Sequence, residues 1–183
     1  MESVTREELL AFLNELSVPT TCYSHEPVFS VGESEALYDL IPGGHVKNLF
    51  VKDKKGNKFL IVALHEADID LKSASKAIGA QGRVSFCRAE QLEDALGVTP
   101  GSVTPLALIN DREAQHVQPI FDWSMMQHET LNCHPLLNNE TVSIPREGLL
   151  RFVEACGHNL KVLPLSRQAQ EAQADEPSTA QDA

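Results

Sequence analysis

Lys47 and Asn48 stand side by side in "PGGHVKNLF", directly after the Pro42-Gly43-Gly44 break, at a point where apolar strand residues would pack without difficulty. A lysine at such a place supplies a mobile point charge suited to a phosphate. The glycine bend lets another chain approach closely. On a regular strand adjacent side chains point to opposite faces, and a solvated strand end is the simpler reading of one such pair. A second candidate is "GSVTP", Gly101 to Pro105, whose backbone N–H groups, from Gly101 and Ser102 onward, suit a carbonyl or an oxyanion without any special side chain. Taken alone it is a turn. His134 in "NCHPLLN" precedes a proline, which forces the chain extended and holds the ring in one direction; His25 in "YSHEPVF" is placed similarly. Histidines at such corners more often serve structure than catalysis.

Other chemistries lack their signatures. No two of the seven histidines have helical metal-ligand spacing, and Cys22, Cys87, Cys133 and Cys156 are too far apart for a CxxC pair or a metal clip. There is no G-x-S-x-G elbow. Any hydrolysis here would use water directly, with no metal and no cofactor, and the scattered cysteines suit a reduced, cytoplasmic setting.

The elements that must position these residues can be read from caps and periodicity. Thr5 and Glu8 form a capping box before Leu9, Leu10, Phe12, Leu13 and Leu16, which predicts a helix ending before Pro19. "TTCYSH" reads as a short strand. Ser30 and Glu33 predict a second helix with Ala36, Leu37 and Leu40 on its apolar stripe. Then "KNLFVKD", the turn Lys54-Lys55-Gly56-Asn57, and the apolar run "FLIVAL" predict a hairpin whose second strand is buried on both faces. "DLKSASKAIG" and "AEQLEDALG" are helices closed by glycine, with "RVSFC" a strand between them. "LALIND" and "HVQPIFD" suggest another hairpin, Pro119 demoting the second strand to an edge or a bulge. "ETLNCH" is a strand candidate, "IPREGLLRFVEACG" a helix, and "LKVLPL" closes the domain. The fold class is α/β in the α+β sense: a mixed, largely antiparallel sheet flanked by helices.

The chain has 183 residues and a formal net charge of −11, which suits one domain with a core and argues against a general basic face for long nucleic acid or DNA. Residues 1–166 read as that domain. Residues 167–183, with few large apolar side chains and Glu171, Asp175, Glu176 and Asp182 against Arg167, read as an acidic mobile tail. Nothing approaches the roughly 20 apolar residues of a membrane span.

"PGGHVKNLFVKDKKGNKFLIVAL", "LGVTPGSVTPLALIND", "CHPLLN" and "LLRFVEACGH", in that order and at similar separations, resemble the free-standing prolyl-tRNA editing proteins of the YbaK/prolyl-tRNA synthetase insertion-domain superfamily. The likeness spans roughly residues 5 to 165 and implies the editing-domain fold of that superfamily. It implies hydrolysis in trans of alanine misattached to the tRNA for proline. The family lysine falls on Lys47, its neighbour on Asn48, the G-x-x-x-P loop on Gly101 to Pro105 with Ser102 inside it, and the histidine on His134. The segment "PTTCYSHEPVFSV" resembles the lining of the amino-acid pocket, nominating Thr20, Thr21, Phe29 and Val31, with Leu37 and His45 beside them; Glu26 departs from the pattern, replacing the first of two prolines. Lys52, Lys54, Lys55 and Lys58 offer a local positive patch for the tRNA acceptor end, although a charged turn is usually just solvated. Prolyl-tRNA synthetase or an elongation factor would be a transient partner. Competing expectations are a related deacylase for Cys-tRNA(Pro) or for Ser- or Thr-charged tRNA, and a non-catalytic module that binds tRNA or a synthetase.

Overall fold

The computed structural model describes residues 3–26 and 38–175. Helix α1 (Arg6–Glu15) begins at the Thr5–Glu8 capping box, with Thr5 N–H donating to Glu8 Oε2 at 2.8 Å and Glu8 N–H to Thr5 Oγ1 at 3.3 Å. Its Leu9 and Leu13 are fully buried, worth about 1.5–3 kcal/mol each. The strands are β1 (Thr21–Ser24), β2 (Gly44–Lys52), β3 (Lys58–Leu64), β4 (Ser85–Phe86), β5 (Val117–Asp122), β6 (Thr130–Cys133), β7 (Glu140–Pro145) and β8 (Lys161–Leu163). Further α-helices among the described residues are α2 (Leu71–Ala77), α3 (Ala89–Leu96), α4 (Arg146–Ala155) and α5 (Arg167–Asp175).

All eight strands join one sheet in the order β1-β7-β6-β2-β3-β5-β8, with β4 attached to β2. Its mixed character comes from antiparallel β1–β7, β7–β6, β2–β3 and β2–β4 pairs and parallel β6–β2, β3–β5 and β5–β8 pairs. Leu60 and Val62 face a core with Leu13, Leu96, Leu149 and Phe152, while Phe59 and Ile61 face a second core with Val51, Ala74 and Ile78. Burial on both faces is what the uninterrupted run "FLIVAL" requires.

Several expectations need correction. "LALIND" belongs to a 3₁₀ helix, Pro105–Asp111, entered from Thr104, whose hydroxyl accepts from Leu106 N–H at 3.3 Å; proline at the first helical position favours that start over a strand. Strand β5 is therefore no hairpin partner. It lies inside the sheet, and Pro119 is tolerated because pairing with β8 begins one residue later, at Ile120. Strand β7 follows an unrecognised turn, and the "RVSFC" strand shortens to Ser85–Phe86. The second helix, with its Ser30–Glu33 box, falls largely outside the described residues.

The tail also differs from expectation. Residues 167–175 form α5, whose Ala169 is fully buried. The cause is Asp122, itself fully buried: Oδ1 accepts from Leu165 and Ser166 N–H at 2.8 Å each, and Oδ2 from Ser166 Oγ at 2.7 Å. Hydrogen bonds to a carboxylate are among the strong ones, and they anchor the helix start that composition alone does not suggest.

Candidate functional site

Strand β2 pairs with β3 continuously from Val46 to Lys52, with no bulge. Its other edge meets β6 only at Gly44 and His45 and β4 only at Val51 and Lys52. Phe50 C=O accepts from Cys87 N–H at 3.0 Å. Among the described residues, 46–49 thus form an edge without a strand partner on that side, in the middle of the sheet. Lys47 and Asn48 sit in that gap.

The unbroken register sends the two side chains to opposite faces. Lys47 shares its face with Leu49 and Val51, and its ammonium donates to the Ala67 carbonyl. Asn48 shares its face with Val46 and Phe50, and its Nδ2 donates to the Val103 carbonyl at 2.8 Å. Asn48 Oδ1 is buried and accepts no hydrogen bond among the described residues, a cost of about 1–3 kcal/mol if left unmet.

Val103 lies in the glycine loop. Gly101 has φ of +92°, a conformation that L side chains rarely adopt, and a Cβ there would stand 3.7 Å from Asn138 Nδ2. The loop therefore lies beside the 134–139 turn that carries His134. Ser102, which is buried, donates its N–H to Thr99 C=O at 3.0 Å, whereas the Gly101, Val103 and Thr104 N–H groups make no hydrogen bond among the described residues.

His134 Nδ1 lies 3.1 Å from Glu140 C=O. A carbonyl only accepts, so Nδ1 carries the proton and Nε2 presents a lone pair. Burial, outweighing the Glu140 carbonyl and helped by the charge of His25, pushes the ring below the usual histidine range. Glu140 is itself held below the usual carboxylate range by Arg6, whose guanidinium binds both of its oxygens.

Thr21 and His45 belong to a polar row across the sheet. The Cα partners run Thr21–Ser143–Asn132–His45, with Asn132 Nδ2 3.2 Å from His45 Nε2, and His45 Nε2 2.7 Å from Ile41 C=O. Tyr38 stacks on His45 and His65, with centroids 4.3 and 4.2 Å away. Two adjoining hollows of about 270 and 500 Å³ share Gly43 and His128 above this row. Thr21 is three strands from β2, about 14 Å at ordinary strand spacing. Thr20 is half-buried just before β1. Phe29, Val31 and Leu37 lie outside the described residues. A larger hollow of about 740 Å³, with Glu8, Glu93, Asp94 and Glu113 in its wall, lies elsewhere and is acidic. No helix among the described residues is long and apolar enough to cross a membrane.

The sequence pattern of the aminoacyl-tRNA editing domain matches residues 25–152. The chain belongs to that family. The chain is 36% identical over 160 residues to prolyl-tRNA synthetase associated domain-containing protein 1 of Danio rerio, covering 86% of each chain. It is 32% identical over 166 residues to the prolyl-tRNA editing protein ProX of Acetoanaerobium sticklandii, covering 90% of this chain and all of that one. Its fold matches a solved structure described as a candidate trans-editing enzyme for prolyl tRNA synthetase, with TM-score 0.64 and 14% identity over 87% of this chain and 98% of that chain. The hypothetical protein APE2540 gives TM-score 0.68 at 20% identity, over 89% of this chain and 100% of that one. The editing domain is a hydrolase of aminoacyl-tRNA esters.

At the far end of β2 the editing domain presents the lysine turn. Lys52 and Lys58 are directly opposed across the hairpin, an arrangement that like charges disfavour. Asp53 organises the turn, accepting from Lys55 and Asn57 N–H at 2.8 and 3.0 Å, from Asn57 Nδ2 at 2.7 Å, and from Gln81 N–H at 2.9 Å. Burial pushes its carboxyl up, but these hydrogen bonds win and hold it at about 2, below the ordinary 3.8. A depressed folded pKa stabilises the fold above the unfolded value, and the benefit is lost as pH falls from 3.8 towards 2. Asp53→Asn is therefore expected to unfold at lower denaturant than wild type at pH 7, and the gap between the two should close near pH 2 in urea titrations.

Proposed function

We propose that the protein hydrolyses the ester of alanine misattached to tRNA(Pro), acting in trans, at the free edge of β2. The observation that supports this most is the convergence there of Asn48, the Gly101–Val103 loop and the His134 turn, joined through Val103 C=O and the Gly101–Asn138 approach. An aminoacyl ester is already activated, so the site has to place a water, stabilise the developing oxyanion and exclude the cognate product.

The proposed roles are these. The Gly101 and Val103 N–H groups meet the oxyanion. Asn48 Oδ1 accepts from the substrate's α-ammonium, which supplies the donor it lacks. His134 Nε2, neutral and unprotonated, accepts from the attacking water or the ribose hydroxyl. Lys47 holds the terminal adenosine phosphate from the opposite face, and the lysine turn holds phosphates further along the acceptor stem. Phe29, Val31 and Leu37, nominated by the family resemblance, and Thr20, Thr21 and His45 are the candidates for the wall that admits alanine. A closed pocket excludes the larger proline ring sterically, beyond the roughly 1–3 kcal/mol that a methylene contributes to binding. The setting is cytoplasmic, with prolyl-tRNA synthetase or an elongation factor as transient partner.

Incubation with tRNA(Pro) carrying alanine, cysteine or proline, and with seryl- and threonyl-tRNA, tests the substrate choice; fast loss of alanine with proline retained is expected, and failure on the alanine ester removes it. Undiminished activity in chelator is the expected result for chemistry carried by these groups. The pH profile tests His134. Protonation at Nε2 abolishes its acceptor, so the rate should fall on the acid side with a midpoint below about 6.5, and His134→Ala should remove that limb.

A further inference from the structure

Phe86 is 60% exposed and is the one exposed aromatic side chain among the described residues. A lone exposed apolar residue is ordinary; the surroundings of this one are not. Strand β4 has β2 as its partner, and Phe86 lies opposite the fully buried Val51. Side chains directly opposite in an antiparallel pair share a face, so Phe86 stands on the face of Lys47, four residues along from it on the neighbouring strand.

Cations surround it. Arg83 and Arg88 flank it and are exposed. Gln91 Oε1 accepts from the Lys52 ammonium at 2.9 Å and from Arg88 N–H at 3.2 Å, tying those residues together. The Lys54 stem runs within 3.2 Å of where a Gly82 Cβ would stand. The charges of Lys52 and Lys58 both reach the neighbouring Cys87 thiol. Segments 52–58 and 82–88 contain Asp53 as their one carboxylate, and its oxygens are taken by the turn. In a chain of net charge −11, this is a basic surface with an aromatic face in it.

We infer that Phe86 is a stacking platform for an unpaired base in the single-stranded 3′ end of tRNA, with the phosphates on either side held by Lys52, Lys54, Arg83 and Arg88. The inference rests on the tRNA reading above. Single-stranded nucleic acids are bound by this combination of basic groove and aromatic face. Charge selects the occupant: a second copy of this chain would bring the same cations against themselves, whereas a polyanion relieves the opposed Lys52 and Lys58. Phe86 shares the face of Lys47, the residue assigned to the terminal phosphate, so the stacked base belongs to the single strand that leads to that phosphate.

Fluorescence anisotropy with an RNA hairpin carrying a single-stranded 3′ overhang, and with the same hairpin blunt, tests this. Phe86→Ala is expected to weaken overhang binding by roughly 5- to 150-fold and to leave blunt-hairpin binding unchanged. Phe86→Trp should retain overhang binding, and the Lys54→Gln, Lys55→Gln pair should weaken both hairpins. Equal binding of the overhang hairpin by wild type and Phe86→Ala overturns the inference, as does an equal loss on both hairpins. A wild-type dimer that Phe86→Ala dissociates in sedimentation also overturns it, assigning the face to a second copy. The two readings fail separately: wild type that binds the overhang but leaves alanyl-tRNA(Pro) intact contradicts the deacylase and keeps the platform.

Discussion

Asn48→Ala is expected to lower kcat/KM on alanyl-tRNA(Pro) by roughly 10²-fold while leaving the fold intact. The side chain does two things that alanine cannot. Its Nδ2 latches the Val103 carbonyl at 2.8 Å, holding the glycine loop against the edge of β2. Its Oδ1 is a buried acceptor with no partner among the described residues, which a substrate donor would satisfy. Removing an orphaned acceptor relieves a cost while losing the latch costs about 1 kcal/mol, so the two largely offset and thermal stability should change little. Asn48→Asp separates the roles. It keeps an acceptor but cannot donate to Val103, so it should bind substrate and turn over slowly. Steady-state kinetics beside a melting curve reads both, and a variant that melts early but retains its kcat/KM would make Asn48 a structural residue.

Lys47→Ala is expected to cost about 10- to 100-fold, chiefly as a rise in KM, the mark of lost binding common to ground and transition states. The reason is geometric: the side chain leaves β2 on the face opposite Asn48, and its ammonium is engaged by Ala67 C=O. A lysine so placed reaches the bound nucleotide sooner than the reacting carbonyl. Lys47→Arg should restore little, since a planar fork does not reproduce a point charge seated on one carbonyl. A fall in kcat with KM unchanged would move Lys47 to the carbonyl itself.

Much of this was legible in the residues. The Thr5–Glu8 box, the basic turn and the doubly buried "FLIVAL" run carry local signals strong enough to survive tertiary context, and all three stand in the fold as read. The gap beside β2 was not legible, because it depends on where β6 stops and β4 starts, a matter of long-range register. The 3₁₀ helix at Pro105 was hidden since "LALIND" is apolar enough to pass for a strand; the Thr104–Pro105 pair was the available signal. The start of α5 was missed because Asp122 anchors it from more than 40 residues away, and composition contains no trace of such a partner. Lys47 and Asn48 were found by sequence as one pair, yet the register places them on two faces.

Single-turnover hydrolysis of alanyl-tRNA(Pro) by wild type and by the Lys47→Ala, Asn48→Ala double variant, in the same buffer with prolyl-tRNA(Pro) as control, tests the edge of β2 as the seat of editing. Rapid loss of alanine with wild type, retention of proline, and a double variant no faster than buffer is the predicted result. A double variant as fast as wild type, or wild type no faster than buffer, would contradict it.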